Sequence, residues 1–491
     1  MSFSLSRSLF LFILFSGFSC FAQAQIDTFD LRLYKKPDLV RHQLDLDFNL
    51  SNGAENEYNH SYSPDHRYRE ETNNFSLNSG IGGVYKGYFN NRRYQGNHRL
   101  GVSTSGTILS RSTDRGDEIS RDIKSFGMNL SARSVNRLYF NGLLFVETDL
   151  QISNTRVDFQ KMTTHIDTLD SQGKRVNEDR NFEGSLPILV GKGRIEPIQD
   201  ARMAVYILDQ LSRKGKLKRQ PNQQEILAFA EEIAAIKNER FFDARNRRIA
   251  EMTRLDSFLQ NRNLIREEDI EYYTTMNDFW RYANNPSRGS GSRFSLGVEP
   301  GYDYAYHYED LDVADQDVKT IEKNYFFELF GLIRYDYEKP INLYWQSSFH
   351  GNVRFGSQQF QDRTVTQDHQ TNDDRLLLDA SAEYRLSWYP DSRSRYSFRI
   401  FTAFDQVFSK QKSSDRYTPF SDEQYHLYSG LSLDGYYYIS PRVRLSGAIT
   451  LQYQNNHRPI PDYTLPPHMG VTVSKRRWQY HTRLTLNYSL F

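Results

Sequence analysis

The chain has 491 residues, a formal net charge of +1 and 14% aromatic residues, with a mean hydropathy of −0.71. Its 62 Lys and Arg against 61 Asp and Glu give no global field, which excludes a nucleic-acid coat protein. The low hydropathy excludes a bundle of membrane helices, since each span needs about 20 apolar residues in a row. Tyr and Phe number 33 each, a strand-forming set that favours interfaces. A polar chain rich in aromatics suits a soluble all-β protein or a transmembrane barrel, whose strands are polar on one side.

Residues 1–24 read as a secretory signal peptide. Arg7 supplies the positive n-region, Leu9 to Phe15 the apolar run, and Ala22-Gln23-Ala24 the small-residue cleavage site. A membrane anchor needs a longer run, and the lead-in Gly17-Phe18-Ser19 fits lipidation of Cys20 poorly. Cys20 is the only cysteine, so cleavage after Ala24 leaves a mature chain with no disulfide, thiol nucleophile or thiolate metal site.

From residue 39 onward, period-2 patterns recur. In 341–355 the odd positions Ile341, Leu343, Trp345, Phe349, Val353 and Phe355 are apolar, while Asn342, Gln346, His350, Asn352 and Arg354 are polar. In 376–388, Leu376, Leu378, Ala380, Ala382, Tyr384, Leu386 and Trp388 oppose Asp379, Ser381, Glu383 and Arg385. In 443–453, Val443, Leu445, Ile449, Leu451 and Tyr453 oppose Arg444, Ser446, Thr450 and Gln452. One wet and one apolar face is the pattern of a half-exposed strand. Similar runs lie near 39–50, 74–90, 97–110, 122–134, 137–152, 182–190, 293–307, 322–338, 394–409, 424–439 and 477–491, giving about fourteen strands. Most are longer than the usual soluble strand of about five or six residues. Aromatics such as Trp388, Tyr389, Tyr437, Tyr438, Trp478 and Tyr480 gather near strand ends, as two membrane interfaces favour.

Short connections (Asn90–Gly96, Ser134–Asn136, Lys339–Pro340, Pro390–Arg393, Ser440–Pro441) interleave with long polar ones (51–73, 111–121, 153–181, 308–321, 357–373, 410–423, 455–476), counting 191–292 as one insertion on the short side. In this respect the chain resembles the outer-membrane β-barrel proteins of Gram-negative bacteria, over 39–190 and 293–491. The ending carries the most specific likeness: Leu484, Leu486, Tyr488 and Leu490 alternate as apolar residues before a terminal aromatic, Phe491, which falls one residue out of their register. The resemblance implies an all-β transmembrane antiparallel barrel in the outer membrane, with short turns in the periplasm. It also implies that Leu484, Leu486, Tyr488, Leu490 and Phe491 form a signal for the barrel assembly machinery.

Residues 197–283 change period. Pro197 suits a first helical turn; Ile198, Ala201, Val205 and Leu208 follow at helical spacing, and Lys214-Gly215-Lys216 ends that helix. Pro221-Asn222 opens a second with Ile226, Phe229, Ala230, Ile233 and Ala234. Ile249, Met252, Leu255 and Leu259 mark a third, and Ile270, Tyr273, Met276 and Trp280 a fourth. With 17 Lys/Arg and 15 Asp/Glu over 194–290, this segment is too polar for lipid and falls to the periplasm or the lumen. It is expected as a cap, as a dock for a periplasmic partner through 197–283, or as a mobile plug. The expected division is therefore 1–24 signal peptide, 25–190 first part of the barrel, 191–292 helical insert and 293–491 second part.

The wet faces carry both signs. Candidate lumen-lining residues are Asp45, Asp47, Lys86, Glu147, Asp149, Glu299, Asp303, Glu328, Arg334, Asp336, Arg354, Asp379, Glu383, Arg385, Arg399, Asp405, Asp434 and Arg444. They suit either a pore wall that selects by charge or ion pairs bracing an interior. Catalysis would need a nucleophile beside a base. His60 and His66 near Asp65, His307 near Glu309, and His369 near Asp368 have no such motif. Gly191-Lys192-Gly193-Arg194 lacks the full phosphate-loop pattern and suits a sharp turn from strand to helix. Asp310, Asp312, Asp315 and Asp317 suit a solvated acidic loop better than a calcium site. The expectation is a narrow or gated pore for a solute, polymer or lipid, with outer-membrane lipid around it, no cofactor, no metal, no nucleic acid and no enzymatic activity. A scaffold for a periplasmic or surface assembly and a surface hydrolase are the alternatives.

Overall fold

The computed structural model describes residues 29–491 apart from 64–65, 115–117, 141–142, 167–170, 240–243, 283–287, 314–315, 366–368, 413–420, 441, 461–470 and 489–491. The signal-peptide reading, Leu490 and Phe491 lie outside the described residues, as do the side chains of His60, Asp65, His66, Asp315, Asp368 and His369.

Alternation builds one antiparallel sheet. In chain order the strands are β1 (Leu39–Ser63), β2 (His66–Asn90), β3 (Tyr94–Asp114), β4 (Glu118–Tyr139), β5 (Leu144–Ile166), β6 (Ser171–Ser185), β7 (Ile188–Pro197), β8 (Gly289–Val313), β9 (Gln316–Pro340), β10 (Trp345–Thr364), β11 (His369–Trp388), β12 (Ser394–Lys412), β13 (Ser421–Ser440), β14 (Val443–Ile460) and β15 (Val471–Tyr488). Each pairs with its sequence neighbour, except that β6 and β7 both lie between β5 and β8. Among the described residues fifteen strands therefore replace the fourteen expected, because one position is split. The split falls at Leu186-Pro187, facing Pro300 in the middle of β8. Neither proline has an N–H to give the ladder. The surviving bonds run from Leu186 N–H to the Pro300 carbonyl (3.0 Å) and from Asp149 N–H to the Pro187 carbonyl (3.0 Å).

Strand lengths also depart from expectation. β1, β2, β8 and β9 each have 25 residues, roughly 80 Å of extended chain at about 3.3 Å per residue. Much of what reads as long polar loop, including most of 51–73, 111–121, 153–181, 308–321 and 357–373, continues the hairpins as strand. Hydrophobic alternation fades there because both faces are wet, yet the ladder continues on backbone bonds that need no apolar side chain. Ser134–Asn136 lies inside β4, and the connection follows it at 140–143. Asparagine, aspartate and serine close the remaining short turns. Asn91 Oδ1 accepts the N–H groups of Arg93 (2.9 Å) and Tyr94 (2.7 Å), and Asn342 Oδ1 those of Tyr344 (2.9 Å) and Trp345 (2.8 Å). Asp391 Oδ1 accepts Arg393 N–H (2.7 Å) and Ser440 Oγ accepts Val443 N–H (3.1 Å).

One face of the sheet leaves large apolar residues uncovered in an alternating row on strand after strand: Phe327, Leu329, Ile333 and Tyr335 on β9, Val353 and Phe355 on β10, Leu431 and Leu433 on β13, Ile449 and Leu451 on β14. The buried apolar core lies elsewhere, in the helices α1 (Gln199–Arg213), α2 (Gln223–Asn238), α3 (Ala244–Asn261) and α4 (Ile270–Tyr282). Phe229, Ile233, Leu255, Leu259, Tyr272 and Met276 are each fully enclosed there, joined by Leu31 and Tyr34 from the segment before β1. Gly215, at φ +68°, ends α1 in the left-handed region. Pro197 closes β7 rather than opening a helix, so the strand reaches seven residues past 190. Gly191-Lys192-Gly193-Arg194 lies within β7, not in a turn. The stripes of α3 and α4 are rotated from expectation: Ile249, Ile270 and Tyr273 are exposed, while Tyr272 and Thr275 are buried beside Met276 and Trp280.

The second helix starts on a capping box. Asn222 Oδ1 accepts Glu225 N–H (2.9 Å) while the Glu225 carboxylate accepts Asn222 N–H (2.9 Å). Arg219 donates two further bonds to that carboxylate, and with the Asn222 N–H holds its pKa down from 4.5 to about 2. A depressed acid contributes stability above its unfolded pKa and loses it as pH falls through the folded one. Glu225→Gln is expected to weaken the helical unit by about 1 kcal/mol at pH 7. The gap to the native protein should close between pH 4.5 and about pH 2, read as urea unfolding followed by helical circular dichroism. A gap constant across that range contradicts the assignment.

Candidate functional site: a charged sheet face above a helical floor

The face opposite the apolar rows carries the charges, and antiparallel register decides which of them meet. Lys86 pairs with Asp45 (2.8 Å) between β2 and β1, and Arg395 with Asp434 (2.6 Å) between β12 and β13. Arg385 and Arg399 both reach Glu383 (2.7 and 3.4 Å). The densest group spans β4 to β11. Arg133 holds Asp149 (3.0 Å) and Arg137 holds Glu147 (2.5 Å). Arg334 approaches Glu147, Asp149 and Glu299 at 3.9, 3.7 and 4.0 Å. Arg354 then links Glu299 (3.7 Å) to Asp379 (2.7 Å) and lies 4.2 Å from the centre of the Phe330 ring. Beside it, Asp336 pairs with Arg293 (2.6 Å) and His350 (3.0 Å), and His350 also reaches Glu338 (3.3 Å).

The remaining candidates occupy the same face without joining that chain. Gln358 donates to Glu328 (2.5 Å). Asp303 lies opposite Glu183, Asp405 opposite Asp379, and Asp47 opposite Gly82 in register. Arg444 stacks on Tyr436 and Tyr438 at 5.9 and 5.8 Å. Arg133, Arg137, Arg293, Glu338, His350 and Arg395 belong to the networks but are absent from the candidate set read from sequence. Parity would have added them: Arg137 and Arg293 face the candidates Glu147 and Asp336 in register, Arg133 shares the phase of Arg137, and Glu338, His350 and Arg395 share the phase of a candidate on their own strand. A cavity of about 630 Å³ opens on this face, lined by Arg334, Asp336, His350, Asn352, Glu383, Arg399, Phe401 and Tyr428 among others. Its wall offers both charge signs, amide and hydroxyl groups and two aromatic rings.

Elsewhere, His307 bonds Asp179 (2.6 Å) across β8 and β6 rather than Glu309, which Arg175 takes at 2.7 Å. Of the acidic residues 310–317, Asp317 is bound by Lys319 (2.9 Å), and Asp312 lies opposite Lys174 in register.

The helices stand at the short-turn end and lean on the turns. Arg288, buried just before β8, donates to the carbonyls of Asn342 (2.8 Å), Leu343 (2.5 Å) and Trp345 (2.9 Å) and to Gln346 (3.0 Å). Burial, with Arg202 nearby, pushes its pKa down to about 10. Tyr389, in the turn after β11, takes Arg288 and Arg202 against its ring at 4.9 and 5.0 Å, and its carbonyl accepts Tyr206 O–H (3.3 Å). Arg393 holds Asp278 of α4 (2.6 Å). Arg194 on β7 stacks on Tyr139 (4.8 Å) and donates to the Arg92 carbonyl (3.1 Å). From the segment before β1, Lys36 (3.7 Å) and Tyr34 (3.4 Å) meet Asp200 of α1, which Lys237 of α2 also grips (2.8 Å). Burial raises the Tyr34 phenol and lowers the Lys237 ammonium. As a result α1 has no wet side over Gln199–Asp209: Asp200, Arg202 and Asp209 are as enclosed as Val205 and Leu208.

The architecture is thus that of a large up-and-down antiparallel sheet with one apolar and one charged face, interrupted once by a helical unit. No family model matches the sequence, and no curated protein matches it. Among solved structures the chain is similar to OmpT, an outer membrane protein of Vibrio cholerae, at 8% identity and a TM-score of 0.21, covering 91% of this chain and 99% of that one. It is likewise similar to OccK7 (OpdD) of Pseudomonas aeruginosa at 9% identity and a TM-score of 0.18, covering 91% and 98%. Scores this low leave the functional argument to the residues themselves.

The buried pair Arg137–Glu147 offers a test of the network. Arg137→Met leaves Glu147, 3% exposed, with only the more distant Arg334 at 3.9 Å and is expected to cost about 3 kcal/mol, whereas Arg137→Met with Glu147→Leu should recover most of that loss. The transition of the folded band to the unfolded band on semi-native gels reads both. A double variant as unstable as the single one contradicts the pairing.

Proposed function

We propose that the chain is an outer-membrane β-barrel that forms a narrow pore, closed at its periplasmic end by the helical insert. The uncovered apolar face supports the membrane setting. Rows of exposed Leu, Ile, Phe and Tyr on consecutive strands far exceed what a soluble surface carries, while lipid turns that exposure into burial. On β9 the row runs from Phe327 to Tyr337, about 35 Å along a strand. With the usual tilt of such strands this matches an apolar band about 25 Å tall. The charged face then lines the interior, and fourteen positions fall between barrels that fill with their own side chains and those that leave a channel.

The observation that carries the gating reading is the enclosure of α1 between the other helices and the turns. A helix buried on every side separates two regions rather than lying on a surface. Both signs of charge above it favour polar or zwitterionic solutes over a pure anion or cation current.

In planar bilayers the native protein is expected to show small or rare openings. A variant with 199–287 replaced by a flexible linker should conduct steadily. Because that deletion removes a folding unit, Arg288→Ala with Tyr389→Ala serves as the second variant, loosening the latch while keeping the helices; it should raise open probability several-fold. Equal silence of all three folded proteins overturns the proposal.

A further inference from the structure

Across β9 to β13 two rows of the charged face lie side by side. Register sets Arg334, Asn352, Ser381, Ala403 and Tyr428 in one row. The next holds Asp336, His350, Glu383, Phe401 and Gly430. The three middle members of the first row are short, while Arg334 and Tyr428 close its ends. That difference in reach opens the cavity of about 630 Å³, a volume within the range of small-molecule clefts. Gly430 shapes the same wall, since a Cβ there would come within 2.7 Å of Phe401 Cζ. The Phe401 ring therefore lies over bare backbone, 5.2 Å from the ring of Tyr428.

The hydrogen-bonding groups of this wall are engaged unevenly. Its acids are taken within the protein. Asp336 holds Arg293 (2.6 Å) and His350 (3.0 Å), and Glu383 holds Arg385 (2.7 Å) and Arg399 (3.4 Å). Its guanidinium groups are not. Arg334 meets Asp149, Glu147 and Glu299 only at 3.7, 3.9 and 4.0 Å, beyond hydrogen-bond reach. Those three acids are held more closely by Arg133, Arg137 and Arg354. Arg399 shares Glu383 with Arg385, which stands directly opposite it, and among the described residues its Nε finds no acceptor. The Oδ1 of Asn352 is likewise enclosed without a donor. Polar groups shielded in this way cost free energy until a partner meets them.

Resting on the pore reading above, we infer that this cavity is a binding site for an acidic saccharide. Arg334 and Arg399 take its carboxylate, sulfate or phosphate group, the acceptors that a guanidinium fork matches. Asn352 takes a ring hydroxyl, and Phe401 with Tyr428 packs against the apolar face of the sugar ring. Charge and sugar are both required. A neutral sugar leaves the two guanidinium groups without an acceptor, while a bare anion meets repulsion from Asp336 and Glu383 with no hydroxyl contacts to offset it.

Isothermal titration of the folded protein in detergent reads the site without requiring conduction. Glucuronate, glucose 6-sulfate and glucose 6-phosphate are the probes, with glucose, acetate, inorganic sulfate and inorganic phosphate as comparisons. At least one probe should bind at least ten-fold more tightly than every comparison, and the tightest one identifies the oxyanion. Arg334→Gln and Arg399→Gln should each weaken that binding at least ten-fold. Ala403→Leu fills the floor of the cavity and alters no charge. It should abolish binding, and it keeps the test decisive where an arginine variant gives no folded band on semi-native gels. Glucose binding as tightly as the probes removes the role of the arginines and overturns the proposal. Acetate, sulfate or phosphate binding as tightly removes the role of the sugar and also overturns it. So does an absence of binding by the folded native protein, or binding unchanged in the variants. Binding intact in a protein that stays silent in bilayers, with or without its helical insert, overturns the pore but leaves the site. Openings without binding overturn the site and leave the pore.

Discussion

A strand that meets hydrocarbon has no water for its backbone, so every N–H and C=O must be taken by a neighbour. On the proposed outer-membrane reading, most of the architecture answers to that requirement. It accounts for the pairing of successive strands from β1 to β15, with β6 and β7 sharing one place, and for short turns whose free amides are taken up by Asn91, Asn342, Asp391 and Ser440. Where Pro187 and Pro300 fall one step apart across the ladder, the pairing cannot continue. One strand becomes two, and each remaining carbonyl is still given a donor.

With the backbone so committed, side chains alone divide the two faces. On the charged face, carboxylates as enclosed as Glu147 and Asp149 persist because guanidinium groups from adjacent strands reach them. The cost of desolvating such groups makes partnership a condition of their presence there. The helical unit uses the same device where its apolar content runs short. α3 is fixed to α2 and the residue that ends it through Arg254 with Glu232 and Glu239, and to α4 through Glu251, which is held by Arg247 and Arg248 of its own helix and accepts the Trp280 indole N–H. Its hold on the sheet is aromatic and cationic: Arg202 and Arg288 stacked on Tyr389, and Tyr282 against Tyr438. Such contacts tie the floor to the turns while leaving it as a body distinct from the strands.

Much of this was legible in the sequence, and the limits have physical causes. Alternation located the strands wherever one face is apolar, as in 341–355 and 376–388. It fell silent in 51–73, where both faces are polar and the strand is carried by backbone bonds alone. Fourteen runs against fifteen strands reflects a break that leaves hydrophobic phase nearly undisturbed. Helical spacing found four helices, and Asn222 was read correctly as an opening. The buried faces of α3 and α4 were misjudged at Ile249 and Ile270 because solvent, not spacing, decides which apolar residues are covered. The charged candidates were found by parity, but their partners Arg137, Arg293 and Arg395 lie toward the short-turn ends of their strands, where alternation is bounded on one side by the turn and sets the phase least firmly. Tyr389, expected among interfacial aromatics, is instead buried against Arg202, Arg288 and Tyr206, and Arg288 gave no sequence signal, since a contact between an insert and a distant turn has no local pattern.

The central claim is that the alternating apolar face meets lipid while the helical unit stands outside the bilayer. The four tryptophans divide along that line: Trp345, Trp388 and Trp478 lie on the outer face of the sheet, and Trp280 is enclosed in α4 beside Glu251. Quenching of single-tryptophan variants by brominated lipid chains in vesicles reads it directly. The account predicts strong quenching of Trp388 and Trp478 and almost none of Trp280. Equal quenching of all of them, or none at Trp478, would contradict it.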